Sequence, residues 1–163
     1  MTSFVGAVLS ATYTAAELTG TESGKAPGIG DIFVSHDNKR YRFVRYLVGA
    51  GAIAAVAGNA VGFYAPAGVS TGVSNDVTSD VSDTIGALAG VLQSAPGNGE
   101  YGWIQIGGVA TITPALVSGA DGNALTLSTT TDGTLKAAGA VTDAGGAVAI
   151  DASAKIIMLN CPY

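Results

Sequence analysis

Apolar residues along this chain come in short pieces, and within the clearest pieces they alternate with their neighbours at a period of two. Tyr41, Phe43 and Arg45 alternate with Arg42, Val44 and Tyr46, and Tyr101, Trp103 and Gln105 alternate with Ile104 and Ile106. Successive side chains of a strand point to opposite faces, so this spacing predicts strands with two distinct faces. Ile32–Val34, a polar corner at His36–Lys39 and then Tyr41–Val48 read as a hairpin. Further strands are predicted at Ala60–Tyr64, Val69–Val73, Ile85–Gln93, Tyr101–Ile106, Val109–Thr113, Ala124–Ser128, Thr134–Ala138, Ala147–Asp151 and Lys155–Asn160. The breaks between them hold Gly, Pro, Asn and Asp, residues that supply the positive φ or the fixed bend of a tight turn. Among these, Gly107–Gly108 is predicted to turn the chain between two strands, and Pro114 to end the second.

No segment keeps a helical period over three turns, and the short helix that Thr14–Leu18 would allow is weak. Regularly punctuated short strands define an all-β chain, a small β-barrel or sandwich of short antiparallel strands. Met1–Gly30 has few large apolar groups and closes on Pro27, Gly28 and Gly30, so it reads as an extended N-terminal arm that orders against a neighbouring subunit. Residues 31–163 read as a single β-rich domain.

Composition changes the picture in one respect. A hydrophobic fraction of 48% is ordinary, but charged residues make up only 12% of the 163, about half the usual share. A surface of Ser, Thr, Ala and Gly with few charges suits a protein that is covered by other protein in an oligomer or lattice. The net charge of −5 argues against nucleic acid as a partner, because phosphate binding needs clustered Lys and Arg. Lys39, Arg40, Arg42 and Arg45 do cluster. On a strand Arg40 and Arg42 share one face and Arg45 takes the other, which gives a narrow positive spot, either a solvated strand edge or an intersubunit salt-bridge patch.

Tyr46–Asn75 carries no charge and is long enough to cross a bilayer, but recurrent Gly with Asn59 and Pro66 reads as turns and short strands, so no membrane partner is expected. The N-terminus lacks the basic start of a secretory signal, so no processing is expected. Cys161 is the lone cysteine, which excludes an internal disulfide and a cysteine-built metal site.

Catalytic chemistry finds little to work with. The single histidine, His36, falls in the predicted hairpin corner and reads as a turn residue. Gly20–Lys25 is too short between its glycines for a phosphate loop and continues with Ala26 where Ser or Thr is needed. Gly49–Ala54 imitates a dinucleotide turn without the helix that should follow. Asp76, Asp80 and Asp83 match no calcium-loop spacing and read as a solvated acidic loop. No catalytic residue, cofactor site or metal site is assigned.

Two stretches resemble a known group. Gly30-Asp-Ile-Phe-Val-Ser-His-Asp-Asn-Lys-Arg40-Tyr41-Arg42-Phe43-Val44, followed by an Ala- and Gly-rich run, resembles the opening of small structural virion proteins of tailed bacteriophages. Gly99-Glu100-Tyr101-Gly102-Trp103-Ile104-Gln105-Ile106-Gly107-Gly108-Val109-Ala110-Thr111 resembles their mid-chain strand pair, and Ala137–Ala140 with Lys155–Leu159 resembles their ending. The likeness spans Gly30–Asn160 in short, low-complexity motifs. It implies a barrel-like head decoration or capsid cement protein that forms homotrimers on the outer capsid surface, with the major capsid protein as partner and the virion as location. Tyr101 and Trp103 then become candidate interface anchors, with a core role the competing reading. Arg40, Arg42 and Arg45 are the candidate interface charges. The other expectations are a tail or head fibre subunit, against which the chain shows no shaft repeat, and a cellular surface-layer or adhesin module, which low charge and Thr-rich strands also suit.

Overall fold

The computed structural model describes residues 7–19, 26–65, 74–140, 143 and 145–161. The chain is all-β, with ten strands and one short α-helix among those residues. The helix α1 (Ala15–Thr19) lies in the arm. The strands are β1 (Ile32–Val34), β2 (Arg40–Tyr46), β3 (Ala60–Tyr64), β4 (Asp76–Thr78), β5 (Thr84–Leu92), β6 (Tyr101–Thr111), β7 (Ala124–Leu127), β8 (Leu135–Ala137), β9 (Ala147–Asp151) and β10 (Ile156–Asn160).

Strand pairing closes a barrel. β2 runs antiparallel to β6 with Phe43 opposite Trp103, β6 to β5 with Leu92 opposite Ile104, β5 to β3 and β3 to β4. β4 then returns to β2, and this one pairing is parallel, with Tyr46 opposite Val77. A ring of strands has no free edges around its circumference, which removes the usual site of unwanted pairing. β1 extends the sheet from the first residues of β2. Beyond the barrel, the second half of β6 pairs with β10, and the sheet continues through β9, β7 and β8.

Ile104, Ile106 and Ala110 of β6 face the core, while Tyr101, Trp103 and Val109 lie on the other face, so the alternation seen in the sequence holds for the large side chains of the strand. Ile104 and Ile106 join Val44, Tyr46, Phe63 and Leu88 from the barrel and Leu125, Leu127, Leu135, Ile157 and Leu159 from the second sheet in one hydrophobic core. β3 is buried from Ala60 to Phe63, as expected of a strand covered on both faces. Each fully buried side chain of this kind contributes about 1.5–3 kcal/mol through the water it no longer orders.

Two features differ from these expectations. Gly107–Gly108 is not a turn: β6 runs unbroken from Tyr101 to Thr111. Glycine suits both positions: a Cβ at Gly107 would push aside the Arg40 guanidinium, 2.6 Å away, and Gly108 has φ +88°, which other residues rarely adopt. β4 was hidden inside the Ser- and Thr-rich acidic segment, and of its three residues only Val77 is a large apolar one. The predicted strand at Val69–Val73 lies outside the described residues.

β5 and β6 approach so closely at Gly90 that an added Cβ would lie 2.5 Å from the Gln105 carbonyl oxygen. Neither backbone can yield without breaking the ring. Gly90→Ala is therefore expected to lower stability by about 2 kcal/mol or more, read from denaturant unfolding; a shift within error would mean that the two strands are not held at this distance.

Candidate functional site

The outer faces of β2 and β6 carry an aromatic cluster, and the arm lies over it. Phe43 meets the Trp103 ring edge-on at 5.2 Å between centroids and stacks on Tyr101 at 6.2 Å. Phe33 from β1 flanks Tyr41 and Trp103. Ala7, Leu9, Tyr13, Leu18 and Ala26 pack against this group. Tyr13 and Tyr101 exchange both backbone hydrogen bonds, at 2.9 and 2.8 Å, and the Tyr13 ring meets Phe43 edge-on at 5.5 Å. α1 starts here because the Glu17 carboxylate accepts hydrogen bonds from the Thr14 backbone N–H at 2.7 Å and the Thr14 hydroxyl at 2.9 Å, which fixes the first turn.

Tyr101 and Trp103 are thus 8% and 3% exposed, a core beneath the chain's own arm. The described arm residues lie on the barrel from which they come. The Trp103 Nε1 is buried with no hydrogen-bond partner among the described residues.

The three arginines do not form one patch, because each is committed separately. Arg45 grips Asp76 through two parallel hydrogen bonds of 2.9 and 2.6 Å, and that bond raises the guanidinium pKa. The pair joins β2 to β4 beside their parallel ladder. Arg42 donates from Nη2 to Asn75 at 2.6 Å, while its Nη1 is buried without a partner among the described residues; burial lowers its pKa. Arg40 lies across Gly107 and reaches Asn160 at 3.3 Å.

A surface that the sequence reading did not single out lies farther along the outer face of β6. Register places Val109, Met158 and Val148 in one row across β6, β10 and β9, and Ile150 follows on β9. All four are between 41% and 45% exposed. A signal was present in the sequence: β9 sends Ala147 and Ala149 inward and Val148 and Ile150 outward, the reverse of the usual arrangement of large and small side chains. An apolar row of this kind on an antiparallel sheet calls for a covering partner.

The acidic segment is not a solvated loop. Asp80 and Asp83 are 3% and 8% exposed and hold the turn at Gly49–Ala52. Asp80 accepts the N–H of Gly51 at 2.7 Å and of Ser82 at 3.0 Å, and Asp83 accepts that of Ala50 at 2.6 Å. Gly49, at φ +69°, is indispensable because a Cβ would sit 2.5 Å from the Asp80 carboxylate. The glycine-rich run that imitated a dinucleotide turn therefore binds an anion after all, and the anion is the chain's own carboxylate.

His36 is an exposed turn residue beside Asp37, whose pKa is lowered to about 2 by hydrogen bonds from Ser35 and Lys39. Burial pushes the Cys161 thiol up to about 12, which keeps it protonated and unreactive. Gly20–Lys25 lies outside the described residues. No group of three or more His, Cys, Asp or Glu gathers to hold a metal ion among the described residues, and no described helix is long and apolar enough to cross a membrane. One shallow groove is lined by Ala115, Leu116, Asp121 and Ser153, and another by Thr129, Lys136 and Asp143.

With this geometry in hand, comparison with known proteins adds nothing: no family model matches the chain, and neither a curated protein nor a solved structure does.

Trp103 is the chain's only tryptophan, so its fluorescence reports the cover directly. Tyr13→Ala should shift its emission to the red and speed proteolysis within the arm; unchanged emission would show that the cover does not depend on Tyr13. Asp80 gives a second test. Burial raises its pKa, but the hydrogen bonds from Ser82 and Gly51 outweigh that and hold it below 3.8. A depressed folded-state pKa stabilises above the unfolded value and is lost as pH falls through the folded one. Asp80→Asn should cost about 1–3 kcal/mol at neutral pH, and its stability should decline less steeply than the wild type's below pH 3.8. Equal acid slopes would remove Asp80 from this role.

Proposed function

We propose that this chain is a structural virion protein, a capsid decoration or cement protein that binds the outer capsid surface as a homotrimer and stabilises the lattice. The observation that carries the reading is the row of Val109, Met158, Val148 and Ile150, left uncovered on a chain with only 12% charged residues. A cement protein works by adding contact area where capsid subunits meet. Its requirements are a rigid frame and an apolar face, and a closed barrel with an attached sheet supplies both. The major capsid protein is the partner, and the phage-like motifs around Gly30–Val44 and Gly99–Thr111 support the same assignment.

Met158 is the centre of the row, and its 43% exposure lets a polar replacement fold. Met158→Asp is expected to leave the unfolding midpoint nearly unchanged and to weaken capsid binding about thirtyfold, the loss of one central anchor. Imaging of purified particles reads the position: density on threefold or quasi-threefold axes of the capsid is the expected result, and density confined to the tail would overturn the assignment.

A further inference from the structure

The chain has six asparagines, and only Asn98 is followed by glycine. That pair has a chemistry of its own. The backbone nitrogen of the following residue can attack the asparagine side-chain carbon, and glycine, with no Cβ in the way, allows the closest approach. Asn38, Asn59, Asn75, Asn123 and Asn160 are followed by Lys39, Ala60, Asp76, Ala124 and Cys161, each of which hinders the attack.

We propose that Asn98–Gly99 is this protein's site of spontaneous backbone modification, and that two hydrogen bonds with the residues at the end of β2 keep it shut while the barrel stays closed. The Gly99 nitrogen forms a bond to Asn98 Cγ, the bond from Cγ to the side-chain nitrogen breaks, and ammonia leaves carrying the displaced proton. Water then opens the five-membered ring at either carbonyl, giving aspartate or isoaspartate. One water enters and one ammonia departs, with no oxidant or reductant.

The fold opposes the first step at both atoms. The Gly99 N–H donates to the Tyr46 carbonyl at 2.8 Å, so the attacking nitrogen is engaged and its proton is held. Val48 donates its N–H to Asn98 Oδ1 at 3.2 Å, which fixes the side chain that must rotate to present Cγ. Tyr46 is fully buried and takes a second bond, from its own N–H to the Glu100 carbonyl at 2.8 Å. The turn is tied further where Gly97 donates to the Glu100 carboxylate at 2.7 Å. Asn98 itself is exposed, so water reaches the ring as soon as it forms.

Two other pairs have the same shape, Asp121–Gly122 and Asp132–Gly133. Their glycine N–H groups are also committed, to Ala149 at 2.8 Å and to Ser79 at 3.1 Å. A carboxylate yields its oxygen less readily than an amide yields ammonia, so Asn98 reacts ahead of both. Isoaspartate at 98 would insert an extra methylene into the main chain ahead of Gly99, and Gly99 and Glu100 could then no longer both reach Tyr46. The change is one-way: a chain that has opened at this corner and reacted cannot re-form it.

Peptide mapping by mass spectrometry, with isoaspartate-specific methylation, tests this on the full chain held folded and in denaturant at the same mildly alkaline pH. Conversion at Asn98 should come first in both samples and be about tenfold slower or more when folded, the effect expected when a hydrogen bond must open before reaction. Asn98→Gln, whose ring would need six members, should lose the signal and keep the fold. Equal rates in the two samples, another site reacting first, or signal persisting at residue 98 in N98Q would each overturn the proposal.

Discussion

β6 pairs through its first half with β2 and β5 and through its second half with β10. Because one strand of eleven residues belongs to both the barrel and the outer sheet, the two cannot pack independently. Its core-facing residues, Ile104, Ile106 and Ala110, run through the larger hydrophobic core. A break in the strand would divide that core in two. The two glycines at its centre matter for this reason: they let the strand pass beneath Arg40 and curve without stopping.

The same strand explains why the molecule shows two such different surfaces. Its outward residues begin with Tyr101 and Trp103, which the arm covers, pass Gly107 beneath Arg40, and end with Val109 and Thr111, which are exposed among the described residues. One continuous face is therefore sealed by the chain itself at one end and open at the other. Low charge, first noticed as a matter of composition, acquires a location: no charged residue interrupts the row of Val109, Met158 and Val148.

The all-β class, and most of the strands, could be read directly from residue alternation and from turn residues, since both are local properties. What escaped was non-local. Nothing near Gly107 in sequence announces that Arg40 will lie across it. Asp80 and Asp83 look solvated beside Ser79 and Ser82, and only the distant Gly49–Ala52 turn makes them buried hydrogen-bond acceptors. Tyr101 and Trp103 were recognisable as one face of a strand, but whether that face meets solvent, a partner or the arm depends on Tyr13 and Leu9, far away in the chain. The arginines were legible as a group and not as three separate attachments, because Asn75, Asp76 and Asn160 come from other strands and loops.

The parallel pairing of β2 with β4 has a consequence for how the chain folds. Every other closure of the barrel joins strands in antiparallel fashion, but Arg45 must find Asp76 across a long intervening segment that includes the whole of β3. Loop-closure entropy opposes such a contact until the hairpin-like pairs β3–β4 and β3–β5 have formed. The seam between β2 and β4 joins only Arg45 with Asp76 and Tyr46 with Val77, so it forms late, with the still longer closure of β2 on β6, and the two parallel hydrogen bonds from Arg45 to Asp76 fasten it at its first pair.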